Sequence, residues 1–178
     1  MLNSRMERLL TACSEMLDAK QYDNVIKCCD DFLKMKPKSG LGWHLKGLAY
    51  QKKNDTTKAE ECFRKAAELD PQEPSNYFSL GVLFYNEKAF DDALAMFQSC
   101  YLLKPEVNYL LMMALCNTML GKAENAEAAL RLAIGSNKKE TAKALQQFFE
   151  RFYKENKDIP AADKDVLKAE IEKLAKLK

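Results

Sequence analysis

Two consecutive stretches of the chain say the same thing, and that internal period constrains the fold more than any other feature. Residues 40–71, GLGWHLKGLAYQKKNDTTKAEECFRKAAELDP, are followed after Gln72 and Glu73 by residues 74–105, PSNYFSLGVLFYNEKAFDDALAMFQSCYLLKP. Trp43 aligns with Tyr77, Gly47 with Gly81, Tyr50 with Phe84, Ala59 with Ala93, Phe63 with Phe97, Ala66 with Cys100 and Pro71 with Pro105, each pair 34 positions apart. A fixed period of this size belongs to stacked helical units, each of which needs its neighbours to cover its apolar face.

These landmarks resemble the tetratricopeptide repeat, whose pattern runs W-x2-L-G-x2-Y, then A-x3-F, then P. Trp43, Gly47, Tyr50, Ala59, Phe63 and Pro71 match it, while Lys46 stands where the family usually has Leu. A long aliphatic stem lets Lys46 lie on a solvated rim. Gly47 with Ala59, and Gly81 with Ala93, put small residues where two antiparallel helices cross closely, and the aromatics fill the space beside the crossing. The resemblance implies an all-α fold, a right-handed superhelix of four tetratricopeptide helical hairpins plus two C-terminal helices. It also implies a concave face lined by the first helix of each hairpin.

The period extends in both directions. A degenerate copy over 6–39 sets Val25, Cys29 and Phe32 at the small, large and small positions, and Leu9, Ala12, Cys13 and Met16 share one helical face. Clear copies occupy 40–73 and 74–106. A fourth, over 107–137, places Met113 and Ala114 at the Leu-Gly positions, Gly121 in the turn, and Ala126, Leu130 and Ala133 on its second helix; Lys138 stands where its closing Pro belongs. The repeats therefore fill 1–137. Gly135-Ser136-Asn137 reads as a loop, and 138–156 as a capping helix with Ala142, Leu145, Phe149 and Phe152 on one face. Lys157-Asp158-Ile159-Pro160 then breaks the chain before a final helix carrying Leu167, Ile171 and Leu174 within 157–178.

Composition narrows the partners. The 178 residues include 30% charged side chains but a net charge of only +2, with both signs interleaved, which weighs against nucleic acid or an anionic membrane. The longest apolar run, Tyr109 to Cys116, is too short to insert in a bilayer, and the opening MLNSRMERLL does not read as a signal peptide. Six cysteines without paired or zinc-type spacing are expected to be reduced core hydrophobes, which suggests a cytoplasmic setting where the Asn54-Asp55-Thr56 glycosylation acceptor goes unused. Catalysis is not expected. There is one histidine, no metal-ligand cluster, no phosphate-binding glycine loop and no sign of a cofactor. Asp30-Asp31 and Asp91-Asp92 are neighbours on helices, diverge by about 100°, and cannot face one site.

Function is therefore sought on the surfaces. On the first helix of the third copy, Phe78, Val82 and Tyr85 form a second apolar stripe beside the one that packs inside the hairpin. The resemblance implies that such positions look into the concave groove: Leu10 in the first copy, Leu41, His44, Leu48, Gln51 and Lys52 in the second, Phe78, Val82, Tyr85 and Asn86 in the third, and Asn108, Leu111, Leu115 and Met119 in the fourth. A largely apolar floor with polar edges suits a peptide or amphipathic helix of a partner protein. Packing between first helices is the other reading of the same stripe. Relatives that clamp the carboxylate end of a heat-shock protein tail use Lys, Asn and Arg. The matching positions here hold Leu10, Ser14, Leu45, Ser75 and Ser79 in one register, or His44, Leu48, Ser79, Asn108 and Met112 in the next, so no such clamp is expected. The expected function is a non-enzymatic scaffold, adaptor or co-chaperone. The alternative is self-association, in which the terminal helix occupies its own groove or a neighbour's in a homodimer, and a chaperone for apolar secretion substrates is a third reading. Docking of that helix as a cap, or a frayed tail, remains open.

Overall fold

The computed structural model describes residues 2–155, with side chains over 8–147. The expected final helix with Leu167, Ile171 and Leu174, and the break at Pro160, lie outside the described residues, as do the side chains of Phe149 and Phe152. All regular structure among the described residues is helical: α1 (Leu2–Asp18), α2 (Tyr22–Met35), α3 (Gly40–Lys52), α4 (Thr56–Leu69), α5 (Pro74–Asn86), α6 (Phe90–Leu103), α7 (Val107–Met119) and α8 (Ala123–Glu155). The fold class is all-α. Contacts divide the chain between Lys104 and Pro105 into two compact units. In the first, α1 packs on α2, α3 on α4 and α5 on α6; α2 meets α3, α4 meets α5, and the first helices α1, α3 and α5 touch in sequence. In the second, α7 packs on α8.

The turn inside each helix pair is built the same way. Lys20, Asn54, Lys88 and Gly121 have φ of 59, 60, 63 and 70°. The N–H of each donates to the carbonyl three residues back, and the next N–H, at Gln21, Asp55, Ala89 and Lys122, reaches the carbonyl five back, at Met16, Tyr50, Phe84 and Asn117. This closes the helix end with a left-handed residue that satisfies otherwise orphaned carbonyls.

Side-chain size fixes how closely the hairpins close. A Cβ on Gly47 would stand 2.6 Å from the Phe63 ring, and one on Gly81 2.7 Å from Phe97. Both rings are fully buried, as are Ala59 and Ala93. Trp43 packs against Phe32 and Leu33 of the preceding hairpin, and Trp43 and Tyr77 donate hydrogen bonds, from Nε1 to the Pro37 carbonyl at 3.1 Å and from the hydroxyl to the Pro71 carbonyl at 3.3 Å. Each aromatic thereby ties its helix to the proline that closes the preceding copy.

Three local expectations are corrected. Cys13 and Cys28 form a disulfide, so not all six cysteines are reduced; Cys29, Cys62, Cys100 and Cys116 are free and buried. Cys13 occupies the register position of Gly47, and Cys29 that of Phe63, so small sulfur side chains replace the glycine-on-phenylalanine contact and a covalent bond closes the first hairpin. Lys46 is not on a solvated rim. Its side chain is 16% exposed and its Nζ lies 2.6 Å from an Asp30 carboxylate oxygen on α2, over the rings of Trp43 and Tyr50. Burial pulls the Lys46 ammonium down, but the Asp30 carboxylate outweighs it and leaves it above its ordinary value. Finally, Gly135 and Ser136 remain helical, and α8 breaks at Asn137 alone, where φ is −159° and ψ 93°. Asn137 accepts from the Glu140 N–H at 3.0 Å and donates its amide to the Glu140 carboxylate at 3.1 Å, a reciprocal cap that starts a second helical segment. Thr141, 1% exposed, reaches the Ala133 carbonyl across the break at 2.7 Å, and buried Leu145 follows one turn on; Ala142 is half-buried.

Candidate functional site

In the first unit the expected binding positions fall on α1, α3 and α5, which touch in sequence. Leu10 on α1 is half-buried and packs against both core clusters of the first hairpin, and Leu48 against one of them. On α3, Leu41 is 55% exposed, His44, Leu48 and Gln51 are half-buried, and Lys52 is exposed. On α5, Phe78, Val82 and Tyr85 are half-buried and Asn86 is exposed. The Phe78 ring lies 5.7 Å from Phe97 and the Tyr85 ring 5.4 Å from Phe90, so both residues are partly core and partly surface. In the second unit, on α7, Leu111 is buried at 8%, Leu115 is half-buried, Asn108 is exposed and Met119 is 54% exposed.

Between α3 and the start of α5 lies a cleft of about 340 Å³ lined by Leu41, His44, Asp70, Glu73, Ser75 and Asn76. Sequence reasoning found Leu41 and His44 here but missed Asp70, Glu73 and Asn76, because they sit on the connection and the buried side of α5. Asn76 is 2% exposed. Its amide nitrogen donates to the Ala66 carbonyl at 3.2 Å and the Asp70 carbonyl at 3.1 Å. With both hydrogens committed, its oxygen faces His44 Nδ1 at 3.0 Å. An oxygen there can only accept, so His44 carries its proton on Nδ1 and presents Nε2 as an acceptor. Burial lowers the His44 pKa against the opposing pull of Asn76 and Glu73, which keeps the ring neutral at pH 7. Glu73 caps α5, accepting from the Ser75 N–H at 3.1 Å, and that bond holds its carboxyl below the usual carboxylate range.

Residue size explains why Asn76 is here. In the first copy, Phe32 fills the small position and leaves room across from it only for Gly42, whose Cβ would meet the ring at 2.9 Å. In the second copy that position is Ala66, and the space it frees admits Asn76 opposite. His44 likewise packs on Phe63 with ring centroids 5.5 Å apart, as Phe78 packs on Phe97 one copy later.

The free thiols are not activated. Burial pushes Cys29 and Cys100 up to about 12 and Cys62 and Cys116 up to about 11, values that keep them protonated at neutral pH. Among the described residues no trio of His, Cys, Asp or Glu is placed to hold a metal ion, and no helix is long and apolar enough to cross a membrane.

Comparison with known proteins agrees with this geometry. Residues 42–73 match the tetratricopeptide repeat family. A Xenopus laevis protein, tetratricopeptide repeat protein 37, is 28% identical over 96 residues, which is 53% of this chain and 6% of that protein's length. Among solved structures, MamA superimposes with a TM-score of 0.71 at 18% identity, over 76% of this chain and 80% of that one. PilW, described as a widely conserved type IV pilus biogenesis factor, does so with a TM-score of 0.66 at 20% identity, over 95% of this chain and 85% of that one. At these identities the structural likeness establishes the fold.

Proposed function

We propose that this chain, a tetratricopeptide-repeat protein, is a protein-protein interaction module that holds a peptide or amphipathic helix of a partner against the surface of its first helices. The observation that carries this reading is the strip on α3 and α5, where Leu41 is 55% exposed and Leu48, Phe78, Val82 and Tyr85 are half-buried beside polar edges at Lys52 and Asn86. Apolar anchors with a hydrogen-bonding rim fit helix-in-groove or extended-peptide recognition. We assign the repeats to 6–39, 40–73, 74–106 and 107–137, with 138–156 as a cap. In the second unit the equivalent positions on α7 are Asn108, Leu115 and Met119 at the surface and Leu111 in the core.

Substitution tests the assignment without disturbing the core. Leu41→Ser, at a residue 55% exposed, is expected to abolish partner capture from the native host, while Leu102→Ser on α6, at an 83% exposed residue, leaves it intact. Loss with Leu102→Ser and retention with Leu41→Ser would move the interaction to the second-helix face. A role as scaffold, adaptor or co-chaperone follows from whichever partner is captured. The second reading is self-association through residues 157–178; an unchanged mass by light scattering after truncation at Ile159 removes it. Cytoplasmic placement rests on the four buried free thiols, and the Cys13–Cys28 bridge argues for a more oxidising setting.

A further inference from the structure

The cleft between α3 and α5 differs in kind from the apolar strip around it. Its lining contributes two acidic side chains, Asp70 and Glu73, and no lysine or arginine. Lys104 acts on Glu73 only from outside that lining. Asn76 holds His44 Nδ1, and Nε2 makes no hydrogen bond among the described residues. One copy later the same register position is Phe78, so the polarity belongs to this junction and not to the repeat pattern. The acceptors are too dispersed for a metal ion.

We infer that the cleft is a subsite for an arginine side chain of the bound partner, its guanidinium donating to His44 Nε2 and to the carboxylates of Asp70 and Glu73, with Leu41 covering its methylene stem. A neutral imidazole acceptor and carboxylates on separate segments call for several N–H donors in a planar spread. Guanidinium supplies five, whereas an ammonium offers three from one point. Acidic lining favours the cation, and the half-enclosed position strengthens each hydrogen bond relative to open water. The inference rests on the reading of the first-helix surface as a peptide site, and it names one residue type that such a peptide carries.

His44 is the sole histidine of the chain, so its ring resonances report on this cleft without ambiguity. In the full-length protein with 15N-labelled histidine, the free state is expected to show protonated Nδ1 and unprotonated Nε2. Titration with N-acetyl-arginine methylamide is expected to move the Nε2 resonance saturably, and the neutral isostere N-acetyl-norleucine methylamide to leave it in place. Asp70→Asn with Glu73→Gln is expected to weaken the arginine response roughly tenfold; Gln keeps an oxygen for the Ser75 cap, and an unchanged circular dichroism spectrum verifies the fold. A protonated Nε2 in the free protein, an equal response to norleucine, or no response up to roughly 0.1 M, above the millimolar affinity such a fragment reaches, would each overturn the subsite. An arginine response that persists while Leu41→Ser leaves partner capture unaffected would instead reject the surface assignment and keep the cleft.

Discussion

Asn117 shows how a single atom records a repeat's drift from its pattern. It stands on α7 in the register of Tyr50 and Phe84, is 5% exposed, and donates its amide to the Met113 carbonyl at 3.0 Å. Its side-chain oxygen is buried without a hydrogen-bond partner. A buried acceptor left unpaired costs about 1–3 kcal/mol, so Asn117→Leu is expected to raise unfolding stability by about 1 kcal/mol, read as a shift in the urea midpoint at constant m-value. The residues legible in the sequence were those whose role is steric and recurs. Gly47, Gly81, Phe63 and Phe97 could be read because any larger residue at the crossing would collide. His44, Asn76 and Glu73 could not, since their arrangement depends on Ala66 being small and on an amide satisfied by two carbonyls, relations that occur once and leave no period. Cys13 and Cys28 were missed for the same reason: fifteen positions separate them, and only the crossing of α1 with α2 makes them neighbours.

At the level of the helix pair, the four left-handed turn residues are the most regular device in the chain. Lys20 and Lys88 adopt a backbone conformation that opposes an ordinary Cβ, Asn54 tolerates it better, and Gly121 meets no such opposition. Lys20→Gly and Lys88→Gly are each expected to stabilise by about 0.5–1 kcal/mol after the flexibility glycine adds to the unfolded chain, whereas Gly121→Ala costs about 1 kcal/mol; thermal melts distinguish the signs. The turn spacing, from 20 to 54 to 88 to 121, shortens by one at the last step, as the sequence landmarks do. Element limits were less legible than the period. The helix through Gly135 and Ser136 was hidden because glycine and serine usually mark a stop, and here only the Asn137 cap with Glu140 resets the backbone.

For the whole molecule, the covalent state of the first hairpin and the surface of the first helices are the two properties that matter most. A bridge across fifteen residues restricts the unfolded chain by about 3 kcal/mol in the loop-entropy account, a large share for a single helical hairpin. Thiol titration of denatured, unreduced protein is expected to find four reactive cysteines per chain, and six would show the hairpin held by packing alone. The Cys28 sulfur lies 3.5 Å from the Leu9 carbonyl, so a reduced thiol has an acceptor waiting and the hairpin need not open. The central claim concerns the surface, and site-specific photo-crosslinking in the native host tests it most directly. A photoreactive side chain placed at Leu41 or Val82 is predicted to capture the partner in a discrete adduct, while the same group at Leu102 captures none. Adducts from Leu102 alone would contradict the account.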